Sequence, residues 1–300
     1  MGRLKLQKQK YRVQECAAAY LMLLPNILGI LVFLFIPILY SAYISLHDWD
    51  ALSTMKWIGL DNYVALFKDK LFWRSLVITF EYAVMYVPAV VIISLLLALL
   101  VESVHGKVQQ VYRSLLFFPY TISTVVASFV FMFIFDTKGG YLNNFLMALG
   151  FSKQPFLSTP QQALGCVTAV GVWLACGYNM VLFLAALKDV PKSYYEAADI
   201  DGANAWRKFW KITLPAIKNT TVFILIVTTI ASFQVFNQIK IMTSGGPGNR
   251  TLVAVYYIYK KAFEQYHFGY ASAIAVVLAF IIIVLTSIQL KLTSGKEEKA

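Results

Sequence analysis

The sequence predicts an all-α, polytopic membrane protein of about six transmembrane helices, a single domain over residues 1–300. Three observations carry that prediction. Hydrophobic residues make up 59% of the 300 and charged residues only 14%, where a soluble domain carries about a quarter charged residues. Mean hydropathy is +0.65. Long apolar runs recur, and they are continuous rather than alternating, which fits helices crossing a hydrocarbon core of ~30 Å and disfavours a β-barrel.

The elements follow in order. Residues 1–16 are basic and precede an apolar stretch too long for a signal peptide and without a suitably placed small-residue cleavage pattern. They read as a tail before a retained first helix. That helix is expected near residues 18–45, bent by Pro25 and Pro37. Further spans are expected near residues 76–101, 115–135, 163–187, 216–242 and 270–290, before a tail at 291–300. Ser158 and Thr159, ahead of Pro160, are the expected cap of the fourth. An even count puts both ends of the chain on one side. The tails, residues 102–114 and residues 188–218 hold 16 of the 26 Lys and Arg, which makes that side cytoplasmic. The same rule accounts for the net charge of +11 without any nucleic-acid partner.

Residues 188–215 are a polar, mixed-charge segment between two apolar runs. Pro191 suits the first turn of a short helix, and Gly202 suits a left-handed cap that ends it. A second helix is expected over 203–214, with Trp206, Phe209 and Trp210 on one side and Arg207, Lys208 and Lys211 largely on another. Pro215 is expected to stop it. Two short helices joined at a glycine corner can dock an apolar face into a partner's groove.

In the fifth span Thr229, Ser232, Phe233, Asn237 and Lys240 share one helical face, with Gln234 at its edge. Such groups are costly against lipid and should face inward. Hydroxyls, amides and an aromatic ring suit a hydroxylated solute, and Trp173 and Tyr178 of the fourth span add to that set. From polarity alone, hydrogen bonding between helices is the favoured account of the same groups. Glu81, an acid near the outer end of the second span, is expected to reach the interface or pair with a partner helix.

Several chemistries lack their residues. Cys16, Cys166 and Cys176 are an odd number without metal-type spacing. His47, His105 and His267 fall in loops without partners for metal binding or nucleophilic catalysis. No Ser or Asp pair sits with a base inside the spans, as an intramembrane hydrolase needs. The Gly-Gly-Pro-Gly turn within 243–251 lacks the Gly-Lys-Ser/Thr ending of a phosphate-cradling loop. A stand-alone secondary transporter would need embedded ionisable groups or two repeated halves.

Glu196-Ala197-Ala198, three residues, Gly202, then Ile212-Thr213-Leu214-Pro215 resembles the EAA loop of the membrane subunits of binding-protein-dependent ABC importers. With Asp201-Gly202-Ala203 included, it most resembles carbohydrate permeases of the maltose-transporter type. Residues 57–63, WIGLDNY, are similar to the GLDNY segment of sugar permeases. The 243–251 loop resembles the outer loop of the larger, sugar-contacting permease partner. Ile78-Thr79 departs from the family's usual Asn-Thr, and Glu81 beside it takes no role from the family.

The resemblance implies a non-enzymic pore subunit in a bacterial or archaeal cytoplasmic (inner) membrane, both termini cytoplasmic. It implies ATPase coupling through Glu196, Ala197, Ala198, Asp201 and Gly202, and solute contact through Leu174, Ala175, Tyr178, Phe233, Gln234 and Asn237. The implied partners are a second, homologous permease, a dimeric cytoplasmic ABC ATPase, an extracellular solute-binding protein, the sugar and membrane lipid. This chain needs no cofactor or metal of its own; ATP and Mg belong to the ATPase. Another hydroxylated solute, such as glycerol phosphate, is the alternative cargo.

Overall fold

The computed structural model describes residues 20–294, so the expected tail 1–16, Cys16 and most of the tail 291–300 lie outside the described residues. Among the described residues four helices are long and apolar enough to cross a membrane: Tyr20–Ile44, Lys70–Glu102, Ala163–Lys188 and Phe268–Ser294. Two bent pairs bring the number to as many as six if each is counted as one span: Gly106–Thr121 with Thr124–Ile134, at 94°, and Ala205–Ala216 with Lys218–Phe233, at 68°.

The described chain divides into two compact units. The first holds residues 20–66 and Lys261–Val276. Its long helix, Tyr20–Ile44, buries none of its apolar window. Ahead of Pro37, where a bend is expected, lies a π-helical turn at Leu31–Phe35, in which the Ile36 N–H donates to the Leu31 carbonyl. Proline cannot donate to the carbonyl four residues back and crowds it, and a widened turn relieves both problems.

The WIGLDNY stretch has a structural use in this unit. Lys56–Trp57 pairs antiparallel with His47–Asp48. Gly59 sits at φ +61°, and Asp61 opens the helix Asp61–Lys68. The buried Asn62 amide donates to the carbonyls of Ser45 (2.8 Å) and His47 (2.9 Å), and the Tyr63 hydroxyl meets Ser45 Oγ at 2.7 Å. Gly269 is obligatory: a Cβ there would stand 1.9 Å from the His47 carbonyl oxygen.

The second unit holds Phe67–Lys260 and the residues from Val277. Lys70–Glu102 is its backbone, 33 residues long and so about 50 Å. It runs through Pro88 unbroken and is capped by Asp69, whose carboxylate accepts from Leu71 N–H at 2.8 Å. It packs along Ala163–Lys188. Where Gly106–Thr121 crosses that helix, a Cβ on Gly177 would lie 2.2 Å from the Leu116 carbonyl oxygen. Ala98, Val101, Met180, Phe183, Leu184, Ile217 and Ile224 form a buried core in this unit.

Three expectations are corrected here. The third span is not one helix: it starts at Gly106 and breaks at Ile122 and Ser123, both with extended ψ near 130°. The fifth breaks as well. Lys218–Phe233 ends at Gln234, and Asn237–Met242 is separate. Thr228, Thr229 and Ser232 all return their hydroxyls to carbonyls of their own helix just before the break, a pattern that weakens and bends helices. Finally, Ser158 and Thr159 do not cap the fourth helix with their side chains. Ser158 Oγ pairs with Thr137 Oγ1 at 2.8 Å, and the residue before the helix is Gln162.

Candidate functional site

The glycine-cornered segment forms as two short helices. Lys192–Ile200 is preceded by Pro191 and followed by Gly202 at φ +71°. The Gly202 N–H donates to Asp199 O and the Ala203 N–H to Ala198 O, the double bond of a Schellman cap. Nothing lies within 4 Å of a Cβ built on Gly202, so glycine is needed there for its backbone and not for space.

The second helix starts at Ala205 rather than 203, because Asn204 accepts from Arg207 N–H and makes the cap. Pro215 does not stop it. A π-helical turn at Phe209–Thr213, closed by Leu214 N–H on Phe209 O, carries the helix through the proline to Ala216. The chain then turns at Ile217.

Two contacts that sequence reasoning missed tie the helices together. Lys208 pairs with Asp199 across the corner, and Tyr195 OH meets Thr213 Oγ1 at 3.0 Å. Tyr195 and Ile212 also pack against the buried core. Glu196, Ala197, Asp201 and Gly202 are exposed and Ala198 half-buried. Ile200 is 87% exposed and Trp206 71%. The base of this hairpin is braced while its tip carries bare apolar side chains.

The predicted solute residues behave unequally. Both halves of the broken fifth helix pack against Ala163–Lys188, which brings the two groups to one region. Leu174 and Phe233 are buried, and Phe80 meets Phe233 edge-on at 5.0 Å. Tyr178 is exposed and stacked on Tyr120 at 4.8 Å. Gln234 and Asn237 are exposed; Ala175 is half-buried. The break at residues 234–236 means that Phe233 and Asn237 do not share one helical stripe. Thr229 takes a bond from Gln289 Nε2 at 2.9 Å, so for it the packing account holds, while Ser232 is buried and bonds within its own helix. Lys240 is turned onto Tyr259, 2.9 Å from its hydroxyl and 4.1 Å from the ring centre.

The groove of about 630 Å³ between Met85, Ile93, Leu115, Val172, Trp173 and Cys176 takes only Trp173 from the candidate set. Its lining is almost wholly apolar and offers a hydroxylated solute little to bond. The break in the fifth helix, flanked by the exposed Gln234 and Asn237, is the better candidate, since irregular backbone inside a membrane is tolerated only where it lines a cavity or is covered by protein. Glu81 is paired within this chain, with Arg250 of the glycine-rich turn.

Residues 63–295 match the family described as binding-protein-dependent transport system inner membrane component. The arabinooligosaccharides transport system permease protein AraP of Bacillus subtilis is 36% identical, over 93% of this chain and 89% of that protein. The sn-glycerol-3-phosphate transport system permease protein UgpA of Agrobacterium fabrum is 34% identical over 91% and 93%. A chain in the crystal structure of a bacterial ABC transporter involved in the import of the acidic polysaccharide alginate has the same fold, with a TM-score of 0.83, 24% identity and coverage of 97% and 99%. By the extent of these matches, the chain belongs to the binding-protein-dependent transport system inner membrane components and is a permease subunit of an ABC transporter.

Proposed function

We propose that this subunit forms half of the pathway of an ATP-driven carbohydrate importer and receives its motion through residues 188–215. The observation that carries the proposal is the hairpin's construction. Its corner is fixed by Gly202 and the Lys208–Asp199 pair, its base is set in the core, and Ile200 and Trp206 stand in solvent. A rigid lever with an apolar tip suits a groove on a separate motor. Glu196, Ala197, Ala198, Asp201 and Gly202 are the coupling residues in this reading.

The motor is a dimeric cytoplasmic ATPase that holds ATP and Mg, and a second, homologous permease supplies the other half of the path. A solute-binding protein delivers cargo from outside. The excess of Lys and Arg in residues 188–218 supports a cytoplasmic hairpin and, with an even number of spans, cytoplasmic termini. Solute passes the gap between Lys218–Phe233 and Asn237–Met242, where Gln234, Asn237 and Tyr178 offer bonding groups and a ring; Ala175, Leu174 and Phe233 shape the wall.

The identity with an arabinooligosaccharide permease supports a sugar. Glycerol phosphate, after the second relative, is the other cargo. The cation available to it, Lys240, is already bonded to Tyr259.

Capture of the ATPase from membranes tests the division of labour. Ile200→Glu or Trp206→Glu should abolish capture, while Tyr178→Ala and Asn237→Ala should keep it and weaken uptake. Loss of capture in the second pair would refute the assignment.

A further inference from the structure

We infer that Glu81 and Arg250 form an ionic latch that sets the position of the glycine-rich turn and, through it, of the short helix Asn237–Met242. The two side chains meet fork to fork: Arg250 Nη2 lies 3.0 Å from Glu81 Oε2, and Nη1 lies 3.2 Å from Oε1. This bidentate geometry is the strong form of the pair.

The latch is one of four tethers onto the first part of Lys70–Glu102. Arg74 Nη2 donates to Gly248 O at 3.0 Å, Ala254 N–H to Thr79 Oγ1 at 2.9 Å, and Tyr257 OH to Asp69 Oδ2 at 2.5 Å. The tethers span residues 69 to 81, about 18 Å of helix.

The turn has reason to need holding. Ser244 at φ +49° and Asn249 at φ +59° occupy left-handed backbone without being glycine, a state that persists only where the surroundings impose it. Inside the turn, Thr251 Oγ1 donates to Gly246 O and meets Thr243 Oγ1, both at 2.7 Å. Thr243 Oγ1 and Ser244 N–H both reach Ile239 O, at 3.0 and 2.8 Å. Displacement of Arg250 is therefore passed to the short helix and to Asn237 at its start.

The charges themselves point the same way. Glu81 stands between Phe80 and Tyr82 in a helix of membrane-spanning hydropathy, where a lone carboxylate is costly. Its partner is 169 positions away in the sequence. Pairing explains both residues; a proton relay does not, because the guanidinium engages both oxygens.

The consequence for cargo rests on the solute-facing role proposed for Asn237; the latch itself does not. Hydrogen–deuterium exchange on the purified full chain tests the latch without any solute. Glu81→Gln and Arg250→Gln should each speed exchange in residues 243–253 by about tenfold, with a parallel rise in 234–242 and none in 192–216. The double variant should be no worse than either single one, and Glu81→Arg with Arg250→Glu should restore protection. Unchanged exchange in the single variants, damage that adds in the double variant, failure of the swap, or an unmoved 234–242 would each overturn the inference.

Discussion

Two of the molecule's glycine-cornered segments are stitched in opposite ways. The hairpin at 188–215 has its base against the core, but its corner takes its shape from its own residues: the cap at Gly202, the Asn204 cap, Lys208 on Asp199, and Tyr195 on Thr213, 18 positions away. The turn at 243–251 makes bonds of its own, but its place is set by a helix 169 to 188 positions earlier. A locally stitched element can move as a body while keeping its shape, which suits a lever. An element fastened to a distant helix keeps its shape only while the fastening holds, which suits a part whose position must report on another.

The sharpest way to break this contrast is at Gly202. Gly202→Val puts a β-branched side chain at φ +71°, where an ordinary residue pays roughly 1–2 kcal/mol and a branched one more. Uptake should be abolished while the amount of protein in the membrane, read by immunoblot, stays normal. Gly202→Asn should retain most uptake, because asparagine tolerates that backbone. Equal loss in both variants would mean that the corner is needed for contact space and not for its turn.

The next effect should come from the long-range stitching. Thr79 is fully buried and accepts the Ala254 N–H. Thr79→Val keeps the shape and removes the acceptor, leaving a buried donor unsatisfied at a cost of about 1–3 kcal/mol. The melting temperature of the full chain should fall by several degrees. On the local side, Thr213→Val deletes the bond to Tyr195, and about 1 kcal/mol is the expected loss. If the Thr213 change proved the larger, the hairpin would be the more fragile of the two segments and the contrast would be reversed.

This division also explains what could be read from the chain. Gly202, the two short helices and the apolar spans are local properties, and glycine corners and hydropathy declare themselves in a few residues. The partners of Glu81, Asp69 and Thr79 are not local, and nothing near Glu81 names Arg250. The breaks at 122–123 and 234–236 were hidden for another reason. An apolar run reports burial in lipid, not continuity of the hydrogen-bond ladder, and the back-bonded hydroxyls of Thr229 and Ser232 read as a polar stripe. Of the proposed solute residues, Leu174 and Phe233 are buried, because a motif position carries no information on which side chains the neighbouring helices cover.

The smallest expected effect tests the local rule where no packing helps. In the hairpin joining His47–Asp48 to Lys56–Trp57, the Asp50 carboxylate accepts the N–H groups of Leu52 and Ser53 and the Ser53 hydroxyl, at 2.7 to 2.9 Å. Those bonds hold its carboxyl down to about 2, below the usual value of about 3.9. A depressed acid stabilises the fold above its unfolded value and loses that contribution as pH falls through the folded one. Amide protection at Leu52 and Ser53, corrected for intrinsic exchange, should therefore be level from pH 7 to about 4 and decline toward about 2. Asp50→Ala should abolish the protection at every pH. A decline that began near neutrality would mean that some other group orders the turn, and that even this short stitch depends on a distant partner.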